Sequence, residues 1–370
     1  MKYYIIAGEA SGDLHAANLI RAIQQKDAQA NIRAWGGDLM EEAGAILVKH
    51  YRDLAFMGFW EVITNLSTIL KNISFCKKDI EEFQPDALIF IDYPGFNMRI
   101  AKWAKGIGIP THYYISPQIW AWKENRIKAI KRDVDHMYVI LPFEKDFYEN
   151  KHQFPVHFVG HPLLDAIKNR DEICIEEFRK KHQLSNLPII ALLPGSRKQE
   201  ITKMLDLMLK MTPHFPNYQF VIAGAPGQED EFYQNLIGNR KVNFIKNKTY
   251  DLLSVSEAAL VTSGTATLET ALFNVPEVVC YKGNFISYHI AKRIIQLNYI
   301  SLVNLIMDRE VVKELIQDEF NEKQLRLELE KILSEKNRNK ILNDYQLLKQ
   351  KLGGEGASEK TAELIVNSFK

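Results

Sequence analysis

Two carboxylates stand directly after apolar runs that we predict to be buried strands. Glu9 follows the run at 3–7, and Asp92 follows the run at 87–91. The carboxyl ends of parallel strands open onto the ligand crevice of an α/β sheet, so both acids are expected at its mouth. A carboxylate there can take the proton of a substrate hydroxyl. Asp92 is our first candidate for this general base and Glu9 the second; the alternative for Asp92 is a helix cap.

The turn at residues 8–13, with the sequence GEASGD, links the first of these runs to a predicted helix. Ser11 and Asp13 are expected to lie near the crevice beside Glu9. The turn lacks the third glycine of a dinucleotide fingerprint, and it has two acids where a pyrophosphate would bind. We therefore do not predict a dinucleotide site here; the alternative is a turn and helix cap with no further role.

Two turns in the second half of the chain have residues suited to binding a phosphate group. They follow apolar runs at 189–193 and 258–261, and each opens a predicted helix whose free N–H groups and dipole attract an anion. A guanidinium in such a turn grips phosphate oxygens in two places and stabilises the charge that grows on a leaving nucleotide. The alternative is a pair of turns with one surface arginine. The residues are Gly195, Ser196 and Arg197 in the first turn, and Ser263, Gly264 and Thr265 in the second.

Short apolar runs alternate with helical patterns along most of the chain. This alternation predicts parallel, doubly wound sheets, and two such sets predict two Rossmann-like α/β domains that face a cleft. We place an N-terminal domain at 1–165, a C-terminal domain at 166–345 and a C-terminal helical tail at 346–370.

Length, charge and cysteine content limit the classes of function open to this chain. The 370 residues suffice for two domains, and a net charge of +1 gives no global field that favours nucleic acid. The three scattered cysteines form neither a metal spacing nor a disulfide framework, which fits a reducing cytoplasm. We find no signal pattern and no apolar stretch long enough to span a membrane. No Asp-x-Asp pair follows a predicted strand, so neither a metal nor another cofactor is expected.

One segment, at 56–75, is more apolar than a single buried helix face requires. We interpret it as a groove or surface for acyl chains that touches a membrane without spanning it; the alternative is an ordinary core-facing helix. Basic residues at 123–132 would assist with anionic headgroups. The residues assigned to acyl or membrane contact are Phe59, Trp60, Ile63 and Leu66.

Four segments, in this order, closely resemble the lipid-A-disaccharide synthases, bacterial glycosyltransferases of the two-domain GT-B type. They are GEASGD at 8–13, SPQIWAW at 116–122, LPGSR at 193–197 and SGTATLE at 263–269. The resemblance implies inverting transfer of a sugar from UDP-2,3-diacylglucosamine to 2,3-diacylglucosamine 1-phosphate, which gives lipid A disaccharide phosphate and UDP. It also implies peripheral attachment to the cytoplasmic face of the inner membrane.

The resemblance assigns roles to single residues. It makes Asp92 the catalytic residue, although family members often have a second acid three positions on, where this chain has Gly95. It implies that Glu269 accepts hydrogen bonds from the ribose and that Asn304 contacts the nucleotide. The alternatives are a carboxylate favoured by the helix dipole and an asparagine that satisfies its own loop. The candidates for the acceptor side of the cleft include Gln118, Trp122 and His161. The alternatives are a packing anchor for Trp122 and a cap at the hinge for His161.

Other functions fit part of the pattern. A UDP-N-acetylglucosamine 2-epimerase, or another GT-B enzyme acting on a soluble UDP-sugar, shares the Gly-His-Pro turn at 160–162 and the Ser-Gly-Thr helix start. A non-catalytic sugar-nucleotide-binding protein would not need Asp92 and Arg197 on opposite walls of a cleft. The apolar segment at 56–75 favours the lipid-handling enzyme. The oligomeric state is left open, with a homodimer as one candidate.

Overall fold

The computed structural model describes residues 1–54, 66–225, 228–283 and 298–369. The chain divides into two compact α/β units. The first unit comprises Met1–Asn169 together with Leu352–Lys370, and the second comprises Arg170–Lys351. The stretch at 346–370 that we set apart as a tail is thus divided between the units.

The first unit is built on a parallel sheet. Its strands are Lys2–Ala7 (β1), Asn31–Gly36 (β2), Ile46–His50 (β3), Ala87–Ile91 (β4), Thr111–Tyr114 (β5), His136–Val139 (β6) and His157–Phe158 (β7). Across the described sheet they lie in the order β3-β2-β1-β4-β5-β6-β7. The strand order reverses between β1 and β4, which makes this the switch point where a doubly wound sheet binds its ligand.

Helical segments connect these strands. The α-helices are Ala10–Lys26 (α1), Asp38–Glu42 (α2), Leu66–Phe83 (α3), Pro94–Gly106 (α4), Ile127–Asp133 (α5), Pro142–Asp146 (α6) and Pro162–Lys168 (α7). Shorter turns are the 3₁₀ segments Tyr51–Leu54 and Glu124–Arg126 and the π-helical segment Phe147–Lys151. Strand β4 is buried along its whole length, as a central parallel strand must be. Large side chains such as Trp35, whose indole N–H donates to the Tyr4 hydroxyl at 2.8 Å, fill the core around it.

The second unit repeats this arrangement. Its strands are Ile189–Leu193 (β8), Gln219–Gly224 (β9), Asn243–Lys246 (β10), Ser256–Thr262 (β11), Glu277–Tyr281 (β12) and Lys313–Ile316 (β13). Within the described ranges they are parallel and lie in the order β10-β9-β8-β11-β12-β13, so the switch point falls between β8 and β11. An apolar core that includes Ile189, Val221 and Val261 lies against this sheet.

The helices of the second unit follow the same alternation. They are Ile175–Lys181 (α8), Lys198–Leu209 (α9), Asp230–Ile237 (α10), Thr249–Ser254 (α11), Thr265–Leu272 (α12), Leu302–Met307 (α13), Glu322–Leu333 (α14) and Glu335–Lys351 (α15). The 3₁₀ segments are Thr212–His214 and Gln317–Glu319.

The last helix, Ala357–Asn367 (α16), belongs to the first unit. The Asp165 carboxylate accepts hydrogen bonds from the backbone N–H groups of Gly356 at 2.7 Å and Ser358 at 2.8 Å. This buried carboxylate therefore caps α16 and fastens the end of the chain to α7.

The predicted fold class is confirmed, and the apolar runs at 3–7, 87–91, 189–193 and 258–261 occur as strands with small differences at their ends. The short apolar runs of the sequence predict eleven strands in all, and the two that they miss, β3 and β13, lie at the edges of their sheets. Each is short and mixes apolar with charged side chains, so neither gives the buried run that marks a central strand.

Half of the apolar segment predicted to touch a membrane, residues 56–65, lies outside the described residues. This applies to Phe59, Trp60 and Ile63 and to the side chain of Leu66, at which α3 begins. Among the helices that the structure describes, none has the length and hydropathy needed to cross a bilayer.

Candidate active site

Glu9 and Asp92 leave the first sheet side by side. Their strands, β1 and β4, pair in parallel with Ala7 opposite Ile91, and each acid lies just beyond that final pair. Because these strands flank the switch point, both carboxylates lie where a ligand of such a sheet binds. The structure therefore brings together the two acids that the sequence singled out.

The backbone at Asp92 is unusual. Asp92 and Tyr93 have φ angles of 44° and 48°, a left-handed conformation that residues other than glycine adopt rarely and at a cost. The Asp92 carbonyl oxygen accepts hydrogen bonds from the Asn97 side-chain amide and from the Tyr113 hydroxyl, both at 2.7 Å. These two bonds hold the strained turn and so fix where the Asp92 side chain begins.

Gly8 is needed because the Tyr93 ring lies directly over it. A Cβ atom added at Gly8 would lie 2.3 Å from that ring, which is far inside contact distance. The Tyr93 ring also stacks on Phe96, with centroids 5.6 Å apart. The glycine turn after β1 and the strained turn after β4 are therefore packed as one piece.

The charges around Asp92 suit a base. Burial, followed by the nearby negative charges of Glu9 and Glu144, raises the pKa of Asp92 to about 6. A carboxyl group with this pKa is largely ionised at neutral pH, yet it holds a proton more readily than an ordinary aspartate. Glu9 itself is exposed, and its side chain does not cap α1.

Asp13 has a structural role that the sequence did not reveal. Its buried carboxylate accepts hydrogen bonds from the backbone N–H groups of Gly37 at 2.7 Å and of Leu39 and Met40 at 3.2 Å. It thus caps α2 from another helix. Ser11, by contrast, lies exposed in the first turn of α1, and its contact with an acceptor stays a prediction.

Glu144 organises the segment at 116–122. This buried carboxylate accepts hydrogen bonds from the Ser116 hydroxyl at 2.6 Å and the Trp120 indole at 3.2 Å, and from two backbone N–H groups after β6. Trp120 is thereby anchored. Trp122 is 47% exposed, and Gln118 is also exposed, so both are open to a ligand.

His161 caps a helix. Its Nδ1 accepts a hydrogen bond from the Leu163 N–H at 3.2 Å, at the start of α7. Burial lowers the pKa of His161 to about 3, so the ring stays neutral and keeps Nδ1 as an acceptor. Of the two roles open from the sequence, lining a cleft or capping, these contacts account for the cap.

The switch point of the second unit is made of small residues. Strands β8 and β11 pair with Leu193 opposite Val261, so the turns that follow them lie side by side. Gly195 has a φ of 109°, and a Cβ atom added there would lie 3.1 Å from a Glu200 carboxylate oxygen. Beside it lies Thr262, whose buried hydroxyl has no partner among the described residues.

Two helices begin at these turns, α9 after the first and α12 after the second. Ser196 and Arg197 are exposed, and the guanidinium of Arg197 holds the Glu200 carboxylate at 3.1 Å on the surface. Gly264 and Thr265 are exposed at the start of α12, whereas the Ser263 hydroxyl donates to a backbone carbonyl at 3.0 Å. Both helices therefore begin beside one edge of the sheet, and free N–H groups at helix starts attract anions.

Glu269 lies one turn into α12. One of its carboxylate oxygens accepts a hydrogen bond from the Tyr250 hydroxyl at 2.8 Å, and burial raises the pKa of the Glu269 carboxyl. The Tyr250 bond fixes the carboxylate while a second oxygen keeps free acceptor capacity. Such a carboxylate can accept a hydrogen bond from a ligand hydroxyl.

The side chain of Asn304 is fully used within its own loop. Its amide donates to the Val312 carbonyl at 2.8 Å and to Glu314 at 2.9 Å. Its oxygen accepts from the N–H groups of Val311 at 2.7 Å and Val312 at 3.0 Å. The alternative of a loop-satisfying asparagine explains all these bonds, and direct contact with a nucleotide stays a prediction.

Within the described ranges, no cluster of three or more His, Cys, Asp or Glu side chains is arranged to hold a metal ion. Sequence reasoning missed several residues that shape the site. Tyr113 and Tyr250 lie within apolar or helical patterns, and their roles depend on partners distant in the sequence. The one usable signal was Asn97, a polar residue on the apolar face of a helix. The missed residues are Tyr93, Asn97, Tyr113, Glu144 and Tyr250.

The chain matches a family described as lipid-A-disaccharide synthetase over residues 3–369. It is 39% identical to the lipid-A-disaccharide synthase of Syntrophus aciditrophicus, with 99% of this chain and 97% of that protein covered. It is 37% identical to the lipid-A-disaccharide synthase of Trichlorobacter lovleyi, with 98% and 96% covered.

Solved structures show the same fold at low identity. The UDP-GlcNAc 2-epimerase of Neisseria meningitidis, bound to UDP-GlcNAc, superposes with a TM-score of 0.69 at 14% identity and covers 100% of this chain and 99% of its own. The glycosyltransferase of kitacinnamycin gives a TM-score of 0.67 at 12% identity, with 100% and 99% covered. These likenesses show the GT-B type of fold and nothing about the substrate.

Proposed function

This chain belongs to the lipid-A-disaccharide synthetase family, and we propose from this which two substrates it condenses and which of its residues take part in the reaction. The chain is a hexosyltransferase of lipid A biosynthesis that takes a UDP-sugar and a lipid acceptor. The proposed donor is UDP-2,3-diacylglucosamine, and the proposed acceptor is 2,3-diacylglucosamine 1-phosphate. The products are then lipid A disaccharide phosphate and UDP.

Asp92 is the proposed general base. The observation that carries this role is its place at the switch point, on a left-handed turn held by Asn97 and Tyr113, with a pKa raised to about 6. Asp92 takes the proton of the acceptor hydroxyl while that oxygen attacks the anomeric carbon. The bond from this carbon to the UDP phosphate breaks, and UDP leaves with the electron pair. Attack opposite the leaving group inverts the anomeric centre.

Arg197 and the two helix starts of the second unit are the proposed diphosphate site. Charge grows on UDP as its bond to the sugar breaks, and fixed donors aimed at that charge lower the barrier. Arg197 is exposed, and within the described ranges its guanidinium bonds only Glu200, so a diphosphate can replace that partner at little cost. Gly195, Ser196 and the turn at 263–265 contribute backbone N–H groups.

Glu269 is the proposed ribose contact. Its carboxylate is oriented by Tyr250 and keeps an oxygen that can accept a hydrogen bond from a ribose hydroxyl. Ser11, Gln118 and Trp122 are proposed on the acceptor side because all three are exposed in the first unit. Asp13, His161 and Asn304 are proposed to support the site through the turns and helices that they cap or fill.

A product assay tests the reaction. The purified chain is mixed with UDP-2,3-diacylglucosamine and 2,3-diacylglucosamine 1-phosphate, and UDP and disaccharide are measured together. We expect both to form in equal amounts, with inversion at the new linkage. Conversion of UDP-N-acetylglucosamine to its 2-epimer, without disaccharide from the lipid pair, would favour the soluble-sugar alternative.

Attachment to the cytoplasmic face of the inner membrane is proposed for the first unit. Both proposed substrates carry acyl chains, and Leu70 and Phe75, in the described part of the apolar segment at 56–75, are 56% and 48% exposed. Basic side chains at 123–132 add about 1 kcal/mol each where they meet anionic lipid. A homodimer stays a prediction that sedimentation of the purified chain checks.

Vesicle co-sedimentation tests this attachment. Replacing Phe59, Trp60, Ile63 and Leu66 with Ser is expected to reduce binding to anionic vesicles and raise solubility. Leu347→Ser is the matched control, because Leu347 is an apolar side chain 47% exposed in the second unit. Unfolding of the fourfold variant, with unchanged vesicle binding per folded molecule, would show that the segment is core.

A further inference from the structure

A cavity of about 280 Å³ opens near the first switch point, and the mechanism above leaves it unused. It lies between the start of α4, the loop after β5, and α5. Pro94 in its wall is two residues from Asp92. Its volume is near the lower end of ligand pockets, about 300 Å³. The apolar part of its wall consists of Pro94, Met98, Pro117, Ile119, Ala129 and Ile130.

The charged part of the wall consists of two arginines, Arg99 and Arg126. Among the described residues neither guanidinium has an ion pair or a hydrogen bond, whereas Arg33, for example, holds Asp79 at 2.8 Å. Arg126 lies against the exposed ring of Trp122, 5.5 Å from its centroid, which orients it without neutralising it. Two unpaired guanidinium groups on an apolar wall suit a ligand that joins a phosphate to hydrocarbon.

We propose that this cavity is the acceptor subsite, in which the apolar wall takes part of one acyl chain while Arg99 and Arg126 hold the phosphate of the same molecule. This inference rests on the proposed function, because the proposed acceptor carries both groups. The subsite adjoins the base: Tyr113, whose hydroxyl bonds the Asp92 carbonyl, is near enough to Arg126 for that charge to oppose the burial that raises the Tyr113 pKa.

The phosphate contact is tested with two acceptors, the 1-phosphate and its dephosphorylated analogue, in detergent micelles at saturating donor. Arg99→Gln and Arg126→Gln are each expected to raise the acceptor KM about tenfold, the scale of a lost charged hydrogen bond, and to leave the donor KM unchanged. Both variants should use the dephosphorylated analogue as well as the unaltered chain does. Lys102→Gln is the control. It removes an exposed cation that lies on α4, like Arg99, but outside the cavity, so it should change neither the acceptor KM nor the donor KM.

The acyl contact is tested by filling the cavity. A Cβ atom added at Gly95 or at Gly106 meets nothing within 4 Å, and of these two glycines only Gly95 lines the cavity. Gly95→Leu is expected to raise the KM for a long-chain acceptor and to spare an acceptor with short acyl chains. Gly106→Leu, at the other end of α4, should leave both values unchanged.

The outcomes separate the two proposals. Unchanged acceptor KM in both arginine variants overturns the phosphate contact, and unchanged KM in Gly95→Leu overturns the acyl contact. A loss seen with anionic vesicles but not in micelles also overturns the subsite, because the arginines then bind membrane headgroups. Thermal unfolding of every variant identifies those that merely destabilise the fold. If the unaltered chain makes no disaccharide in this assay, the proposed function fails.

Discussion

The switch point of the first unit and that of the second unit are built from the same parallel-sheet arrangement but hold opposite kinds of chemistry. Between β1 and β4 stand two acids, Glu9 and Asp92, and a strained turn covered by the Tyr93 ring. Between β8 and β11 stand small residues, two helix starts and the exposed Arg197. The same architecture thus presents two carboxylates at one switch point, and two helix starts with an arginine at the other.

The two switch points differ in how firmly their functional side chains are held. At the first switch point, two hydrogen bonds and a stacked ring hold one carboxylate in a costly backbone conformation. At the second, Gly195 adopts its positive φ without strain, and the Arg197 guanidinium stays at the surface beside Glu200. A base must be aimed at one hydroxyl, whereas a diphosphate offers many oxygens to its donors.

Asp92→Asn tests the first half of this comparison and has the largest expected effect. The amide cannot take a proton, so turnover should fall by about a hundredfold to ten-thousandfold, the range for general bases. UDP affinity, measured by calorimetry, should stay the same because the nucleotide is assigned to the other unit. Parallel loss of turnover and UDP affinity, or full retention of both, would make Asp92 a structural residue.

Arg197→Ala tests the second half. Loss of one donor to the leaving group typically costs about a hundredfold or more in turnover. Steady-state kinetics check this, with thermal unfolding to show that the fold is intact. Arg240→Ala is the matched control: Arg240 is also an exposed arginine of the second unit and holds Asp206 at 3.4 Å. Near-normal turnover in Arg197→Ala would mean that the helix starts stabilise the leaving diphosphate without Arg197.

The sequence predicted the two sheets and the turns at the ends of their strands, because buried runs such as β4 and glycine turns are local features. The strand order, and with it the two switch points, came from the structure. It did not predict how polar residues far apart in the chain pair with one another. Asp13 stands in the same segment as Glu9, yet it caps α2, since the N–H groups of Gly37, Leu39 and Met40 donate to its carboxylate. The left-handed turn at Asp92 likewise depends on Tyr113 from the next strand. Such pairings appear only once the strands are placed.

Glu269→Ala is expected to weaken UDP binding by about 1 to 3 kcal/mol, the scale of a charged hydrogen bond. Calorimetry should show a larger loss for UDP than for its 2′-deoxyribose analogue. Tyr250→Phe is the companion variant, because it removes the bond that orients Glu269 and leaves the carboxylate in place. Equal losses for both nucleotides would mean that Glu269 acts only through the dipole of α12.

Glu9→Gln separates the two acids of the first switch point and has the smallest expected effect. Burial raises the pKa of Asp92 most, and the negative charge of Glu9 raises it further, to about 6. Removing that charge makes the ionised form of Asp92 easier to keep, so its pKa falls. Because the base works only when ionised, activity should decline below about pH 6 in the unaltered chain and at a lower pH in the variant.

The pH profile of kcat/KM measures this shift, and Glu9→Asp is its control because it keeps the negative charge. Turnover near neutral pH should change little in either variant, since Asp92 is largely ionised there with or without its neighbour. If Glu9 were itself the base, Glu9→Gln would instead remove activity at every pH, on the scale expected for Asp92→Asn. The first switch point would then have its two acids in exchanged roles, with Glu9 as the base and Asp92 as the neighbouring charge.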